Sequence, residues 1–256
     1  MDGLYTLSGF LVGLIVGLTG VGGGSLMTPL LVLLFGISPA TAVGTDLLYA
    51  SLTKSLGGWV HARNGTVDWL IVKRLSLGSI PAALLTLEAL HALVLDDKAL
   101  RGVITPVLGL ALLLTAVGLL FKERIQKRAL QQENGWLQRH LTAATIATGA
   151  VVGVLVTLSS IGAGVLGTVA VLFLYPRLST VRVVGTDIAH AVPLTAVAGM
   201  GHFALGTVNL TLLGSLLIGS LPGIYLGSQL SHKLPEKILR PLLASMLLII
   251  GAKMAM

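Results

Sequence analysis

Cysteine is absent from the 256 residues, which excludes disulfides and thiolate metal sites. Charge is scarce as well: Asp, Glu, Lys and Arg make up 11%, against about 25% in ordinary soluble domains. Aromatic residues are only 5%, too few for the stacking platforms that hold single-stranded nucleic acid. The 17 Lys and Arg outnumber the 10 Asp and Glu, for a net charge of +7, but they sit in short stretches between apolar runs. That placement fits membrane orientation better than a nucleic-acid surface. The opening "MDGLYTLSGF" has no basic residue before its apolar run and no small-residue cleavage site, so it does not read as a removable signal peptide. What remains is apolar sequence, 54% hydrophobic with mean hydropathy +0.93. The chain reads as an all-α, polytopic integral membrane protein.

It also repeats itself. "VGTD" stands at 43–46 and again at 184–187, an offset of 141, and carrying that offset from Val43 to Pro81 pairs 14 identical residues in 39 columns. Upstream the copies align at offset 140, so that "GVGGG" at 20 meets "SIGAG" at 160. Two halves follow, 1–121 and 141–256, joined by the polar segment 122–140, which we expect to be a solvated cytoplasmic linker. Internal repeats of this kind are a common build of secondary transporters.

Each half opens with a glycine break. Leu4 to Leu18 and Ser25 to Phe35 are each shorter than the roughly 20 residues that cross a bilayer, and "GLTGVGGGS" separates them. A kinked helix and a re-entrant hairpin are both open to such a segment. The basic residues favour the hairpin. With three full spans per half (40–60, 75–95 and 100–121, then 183–201, 208–230 and 237–254) the second half is inverted. With the N-terminus outside, 13 Lys and Arg then fall inside, among them the 122–139, 177–182 and 233–240 clusters, and only Lys98, Arg101 and Lys253 fall outside. Full spans in place of the hairpins would strand one or another cluster. The fold expected is two inverted repeats, each a re-entrant helical hairpin plus three transmembrane helices, with both termini outside.

Opposed hairpin tips can meet near the midplane, each followed by a short helix whose first amides point inward. Such ends attract anions, so a small oxyanion is the expected ligand. "GVGGGS" is neither a phosphate-binding Walker loop nor a dinucleotide fingerprint, and helix packing is the competing reading of any single glycine. Ser25 adds a hydroxyl to the first tip; in the second half a hydroxyl would have to come from Ser159, Ser160 or Thr168. Asp46 and Asp187 recur at one repeat position in apolar sequence, as transport groups or as helix caps after "GT", a choice that Thr45 and Thr186 share. His190 lies three residues after Asp187 and shares its helix face, which suits a proton-carrying pair or a structural one; its repeat mate is Tyr49. Lys54 either snorkels to the inner surface or supplies positive charge to the anion. His61 and His202 occupy equivalent span ends on opposite faces, so they share no metal.

Taken together, "GVGGGSLMTPLL", "AVGTD", "SSIGAGVLGT", "LYPRLS" and "VVGTDIAHA" resemble the two signature halves of the TauE/SafE sulfite exporter family, over nearly the whole chain; Val169 stands where the first half has Pro29. The resemblance implies a multi-pass transporter of the bacterial or archaeal plasma membrane, moving sulfite, thiosulfate or an organosulfonate such as sulfoacetate, in the export direction, by alternating access and with protons as a candidate coupling ion. Carried onto these residues, it places the anion at Gly22, Gly23, Gly24, Ser25, Gly162, Ala163 and Gly164, with Thr45, Thr186 and Lys54. Asp46, Asp187 and His190 would handle protons or gating. The partners expected are the anion, the bilayer and at most a second copy in a homodimer; no nucleic acid, cofactor or metal is called for. A passive anion channel is the alternative, and an intramembrane serine hydrolase built on Ser25 a remote one.

Overall fold

The computed structural model describes residues 3–19, 24–92, 97–131, 139–230 and 236–255. Among these the secondary structure is entirely helical, in ten helices. The first half comprises α1 (Gly3–Thr19), α2 (Gly24–Leu33), α3 (Pro39–Arg63), α4 (Trp69–His91) and α5 (Asp97–Gln131). The second comprises α6 (Leu141–Ser159), α7 (Val165–Leu174), α8 (Thr180–Ala204), α9 (Leu210–Leu230) and α10 (Glu236–Ala255). Five of them, α4, α5, α6, α8 and α9, are long and apolar enough to cross a membrane. At 25 residues α3 is as long as α8, but Asp46, Lys54, Arg63 and its small polar residues lower its apolarity. Large apolar side chains such as Leu85, Ile249 and Leu34 are exposed on the outside, as lipid-facing residues must be.

Two expectations change here. The helix of α5 continues ten residues into the segment read as a loop, because "KERIQKRALQ" combines strong helix formers with no glycine or proline to stop it. Second, the two break-flanking pairs are unequal: α1 has 17 residues, whereas α6 has 19 and is itself long enough to span.

Small residues decide how the halves meet. A Cβ added at Gly9 or Gly13 of α1 would strike the backbone of Leu216 or Ser220 of α9; in return Gly219, Gly223 and Gly227 lie on the backbone at Thr6, Phe10 and Leu14. The paired numbers rise together, so α1 and α9 run parallel. The repeat-related pair behaves alike: Gly149 and Gly153 of α6 lie on the backbone of Leu75 and Ser79 of α4. Such close approach replaces the hydrophobic driving force that helices in lipid lack. By contrast α3 and α8, which are repeat-equivalent, run antiparallel. Gly44 meets His202, Gly199 meets Leu48, and Gly185 meets His61.

Tyr5, near the start of α1, packs against Phe35, just past α2, with ring centroids 4.8 Å apart and the rings tilted by 56°. At the equivalent positions of the second half, Thr145 and Tyr175 share a hydrogen bond of 2.8 Å, and Arg74 donates to the same phenol at 3.3 Å. In each half, therefore, the start of the first helix meets the chain just past the second, through an aromatic pair in one copy and a polar cluster in the other.

Candidate functional site

The "VGTD" motif separates into three tasks. Its glycines are contact points, since a Cβ at Gly44 or Gly185 would collide with the turn at Thr207 or Thr66 of the other half. Its threonines clasp that turn: Thr45 accepts from the Asn209 amide at 3.1 Å, and Thr186 from the Asp68 amide at 2.9 Å. Asp68 and Asn209 are themselves N-caps, accepting from the Ile71 and Leu212 amides. Thr45 and Thr186 thus serve the seam between halves. The aspartates do not cap, contrary to one reading open to them, because Ser38 and Ser179 are the N-caps of α3 and α8. Asp46 and Asp187 lie two turns further in, buried at 0% and 2% exposure.

There the carboxylates meet the second helix of each half. The Thr28 hydroxyl of α2 donates to Asp46 Oδ2 at 2.5 Å, and the Thr168 hydroxyl of α7 donates to Asp187 Oδ2 at 3.1 Å. These pairs are repeat-equivalent. The other oxygen, Oδ1, has no hydrogen-bond partner on either residue; that of Asp187 lies against Gly167, where a Cβ would displace it. The Ser160 hydroxyl faces Asp46, and the Tyr49 hydroxyl faces Ser220, both short of hydrogen-bond geometry and both buried. Four orphaned polar atoms in one protein interior call for a ligand, a proton or water.

Lys54 does not snorkel. Its ammonium turns inward and donates to the Ala163 carbonyl at the second glycine break, within the electrostatic reach of both Asp46 and Asp187, and it forms an ion pair with neither. The break holds its shape through unusual backbone: Ser160 is left-handed at φ 58°, and Gly162 lies at φ 126°, which a side chain would oppose. The Gly162 carbonyl takes the amides of Gly164 and Gly167, and that of Gly164 takes Thr168. The amides of Val165 and Leu166, in the first turn of α7, have no helical acceptor, as at any helix start.

His190 is drawn away from its expected partner. Its Nε2 shares a hydrogen bond of 2.8 Å with Ser79 of α4, while Asp187 is held by Thr168. Ser79 is fully buried, with its backbone against Gly153 of α6, so the pair lies at the α4–α6 seam. His61 and His202 lie in the last turns of α3 and α8, each bonding at 2.8 Å through Nδ1 to the threonine five residues on. Gly22 and Gly23 lie outside the described residues; Gly24 and Ser25 open α2. The residues that sequence reasoning missed are Thr28, which had a signal in its identity with Thr168 at offset 140, and Ser79, which had one in the repeated "GSIP" and "GSLP".

Residues 5–254 match the family described as Sulfite exporter TauE/SafE, and the chain belongs to that family. It is 40% identical to the probable membrane transporter protein YjnA of Bacillus subtilis, over 97% of both chains. It is 27% identical to the probable membrane transporter protein YdhB of the same organism, over 96% of this chain and 99% of that one. A probable membrane transporter protein of Methanocaldococcus jannaschii is 24% identical, over 97% and 93%. No solved structure matches.

Proposed function

We propose that this protein is a secondary transporter of the plasma membrane that moves a small sulfur-containing anion, sulfite, thiosulfate or an organosulfonate, outward by alternating access. The observation that carries the reading is the convergence, on one broken helix, of Lys54, two repeat-related carboxylates and their orphaned oxygens. The anion sits at the glycine breaks, facing the first turn of α7 and the Lys54 ammonium. The halves are inverted and each hairpin is re-entrant. Support comes from the antiparallel register of α3 and α8 and from the contact, in each half, between the start of the first helix and the chain just past the second. The Arg182–Asp68 ion pair at 3.4 Å adds to it by bringing two segments assigned to the inner face together.

Charge gives the coupling ion. Two ionised carboxylates and one ammonium leave a net charge of −1. An anion about 5 Å from the uncompensated charge meets repulsion of about 3 kcal/mol at an effective dielectric constant of 20. A proton on Asp46 or Asp187 removes that term, so anion and proton occupy the site together. His190, tied to Ser79, then supports α8 from α4 rather than relaying the proton.

The test is flux of radiolabelled sulfite, thiosulfate, sulfate and sulfoacetate in sealed proteoliposomes, with and without a pH gradient. One sulfur oxyanion is expected to move selectively and saturably, and the pH gradient is expected to drive wild type but not Asp187→Asn. Flux of none of them would overturn the reading, and electrical currents far above carrier rates would replace it with a channel.

A further inference from the structure

The Ala163 carbonyl lies in the unwound stretch between the C-cap of α6 at Ser160 and the start of α7. Main-chain carbonyls freed at broken helices are where transporter folds commonly coordinate a coupling sodium ion. At the same break, Oγ of Ser160 faces Asp46 and Oδ1 of Asp187 lies against Gly167 in the first turn of α7; these oxygens and Oδ1 of Asp46 are buried and without hydrogen-bond partners. Carboxylate, hydroxyl and carbonyl oxygens form the donor set of a hard cation. Yet the positive charge among them belongs to the chain: Lys54 Nζ donates to the Ala163 carbonyl and lies in the field of both aspartates. Among the described residues, His190, held by Ser79, also faces Lys54, and Tyr49 faces Asp46. The repeat mate of Lys54 is Thr195, whose hydroxyl turns back onto the Ala191 carbonyl. The two-fold arrangement of aspartates and threonines therefore holds a single cation, supplied by one half.

We propose that Lys54 is a tethered cation whose ammonium fills an alkali-metal subsite made by the second glycine break and the two carboxylates, so that the protein works without sodium. The proposal rests on the transporter reading, and its consequence is specific. A tethered charge cannot leave with the substrate, so a sodium gradient has nothing to act on. Removing the side chain leaves the oxygens in place and opens the subsite to a free ion.

Thermal unfolding of the purified protein in detergent tests this, with sodium chloride exchanged for N-methylglucamine chloride at constant ionic strength. Wild type is expected to melt at the same temperature in both salts. Lys54→Thr is expected to rise saturably with sodium, by about 3 °C for a site well filled, and Lys54→Thr/Asp187→Asn is expected to lose that rise. If the threonine variant does not fold, Lys54→Gln, which keeps an N–H donor for Ala163 and adds a carbonyl oxygen, carries the same expectation. A saturable sodium response in wild type would overturn the proposal, as would a folded variant with no response. The melt needs no substrate. Anion flux without the melt shift would sink the tethered cation alone, and the melt shift without flux would sink the transporter reading alone.

Discussion

Thr28 and Thr168 each hold one oxygen of a buried aspartate and leave the other free. Replacing either by valine keeps the shape and removes the donor, so the carboxylate loses its one fixed partner in a region that water reaches poorly. Hydrogen bonds between helices in lipid average about 0.6 kcal/mol and reach about 1.7. Each variant should therefore lower the melting temperature by about 2–4 °C and reduce anion flux more than a change on the lipid face. Equal losses in melting for Thr28→Val and Thr168→Val would show that the two carboxylates do equal structural work; a loss in only one would confine the working site to that half. The aspartates were legible in the sequence, because an acid repeated at one position in apolar sequence is costly enough to need a reason. Thr28 was not singled out, because a mid-helix threonine beside Pro29 carries no cost and looks ordinary. The target of Lys54 was illegible, since reach to Ala163 spans 109 positions and depends on which helices lie side by side.

At the scale of helices, the same limit applies to pairing. Periodicity shows that a glycine lies on some face but not which helix covers it. The breaks, the three following spans and the turn glycines Gly65 and Gly206, at φ 64° and 73°, follow from local sequence. The pairing of α1 with α9 and of α4 with α6 does not, because the residues that touch are far apart in the chain, as Gly153 of α6 is from Ser79 of α4. The structure separates glycines that carry these seams from those that do not. Gly153→Val would push a branched side chain into the Ser79 backbone, which cannot yield as a side chain can. Its cost should exceed about 3 kcal/mol, the upper end of ordinary overpacking, and should appear as loss of folded protein on gel filtration. Gly214, where an added Cβ would meet nothing within 4 Å, should accept alanine with a gain of up to about 1 kcal/mol from helix propensity. If both variants behaved alike, close backbone approach would not be what holds α4 to α6.

For the whole molecule, the proposed inversion makes a prediction that no parallel arrangement shares. Asn64 and Ala204 end repeat-equivalent helices, and both are exposed. If the halves are inverted, Asn64 is inside and Ala204 outside; if they are parallel, both lie on one face. The protein lacks cysteine, so Asn64→Cys and Ala204→Cys can each be introduced as the sole thiol. A membrane-impermeant maleimide applied to intact cells is expected to label Ala204→Cys directly and Asn64→Cys only after the membrane is opened. The cross-half clasps raise what is at stake in that result. Thr45 reaches the cap at Asn209, and Thr186 reaches the cap at Asp68, so each half fixes the turn at which the other changes direction. If the halves rock against one another as proposed, the chain must bend elsewhere than at the α3–α8 seam, and the second glycine break, where Ser160 and Gly162 already have irregular backbone, is where it can do so. Labelling of both thiols from the same side would remove the inversion and this account of the moving parts with it.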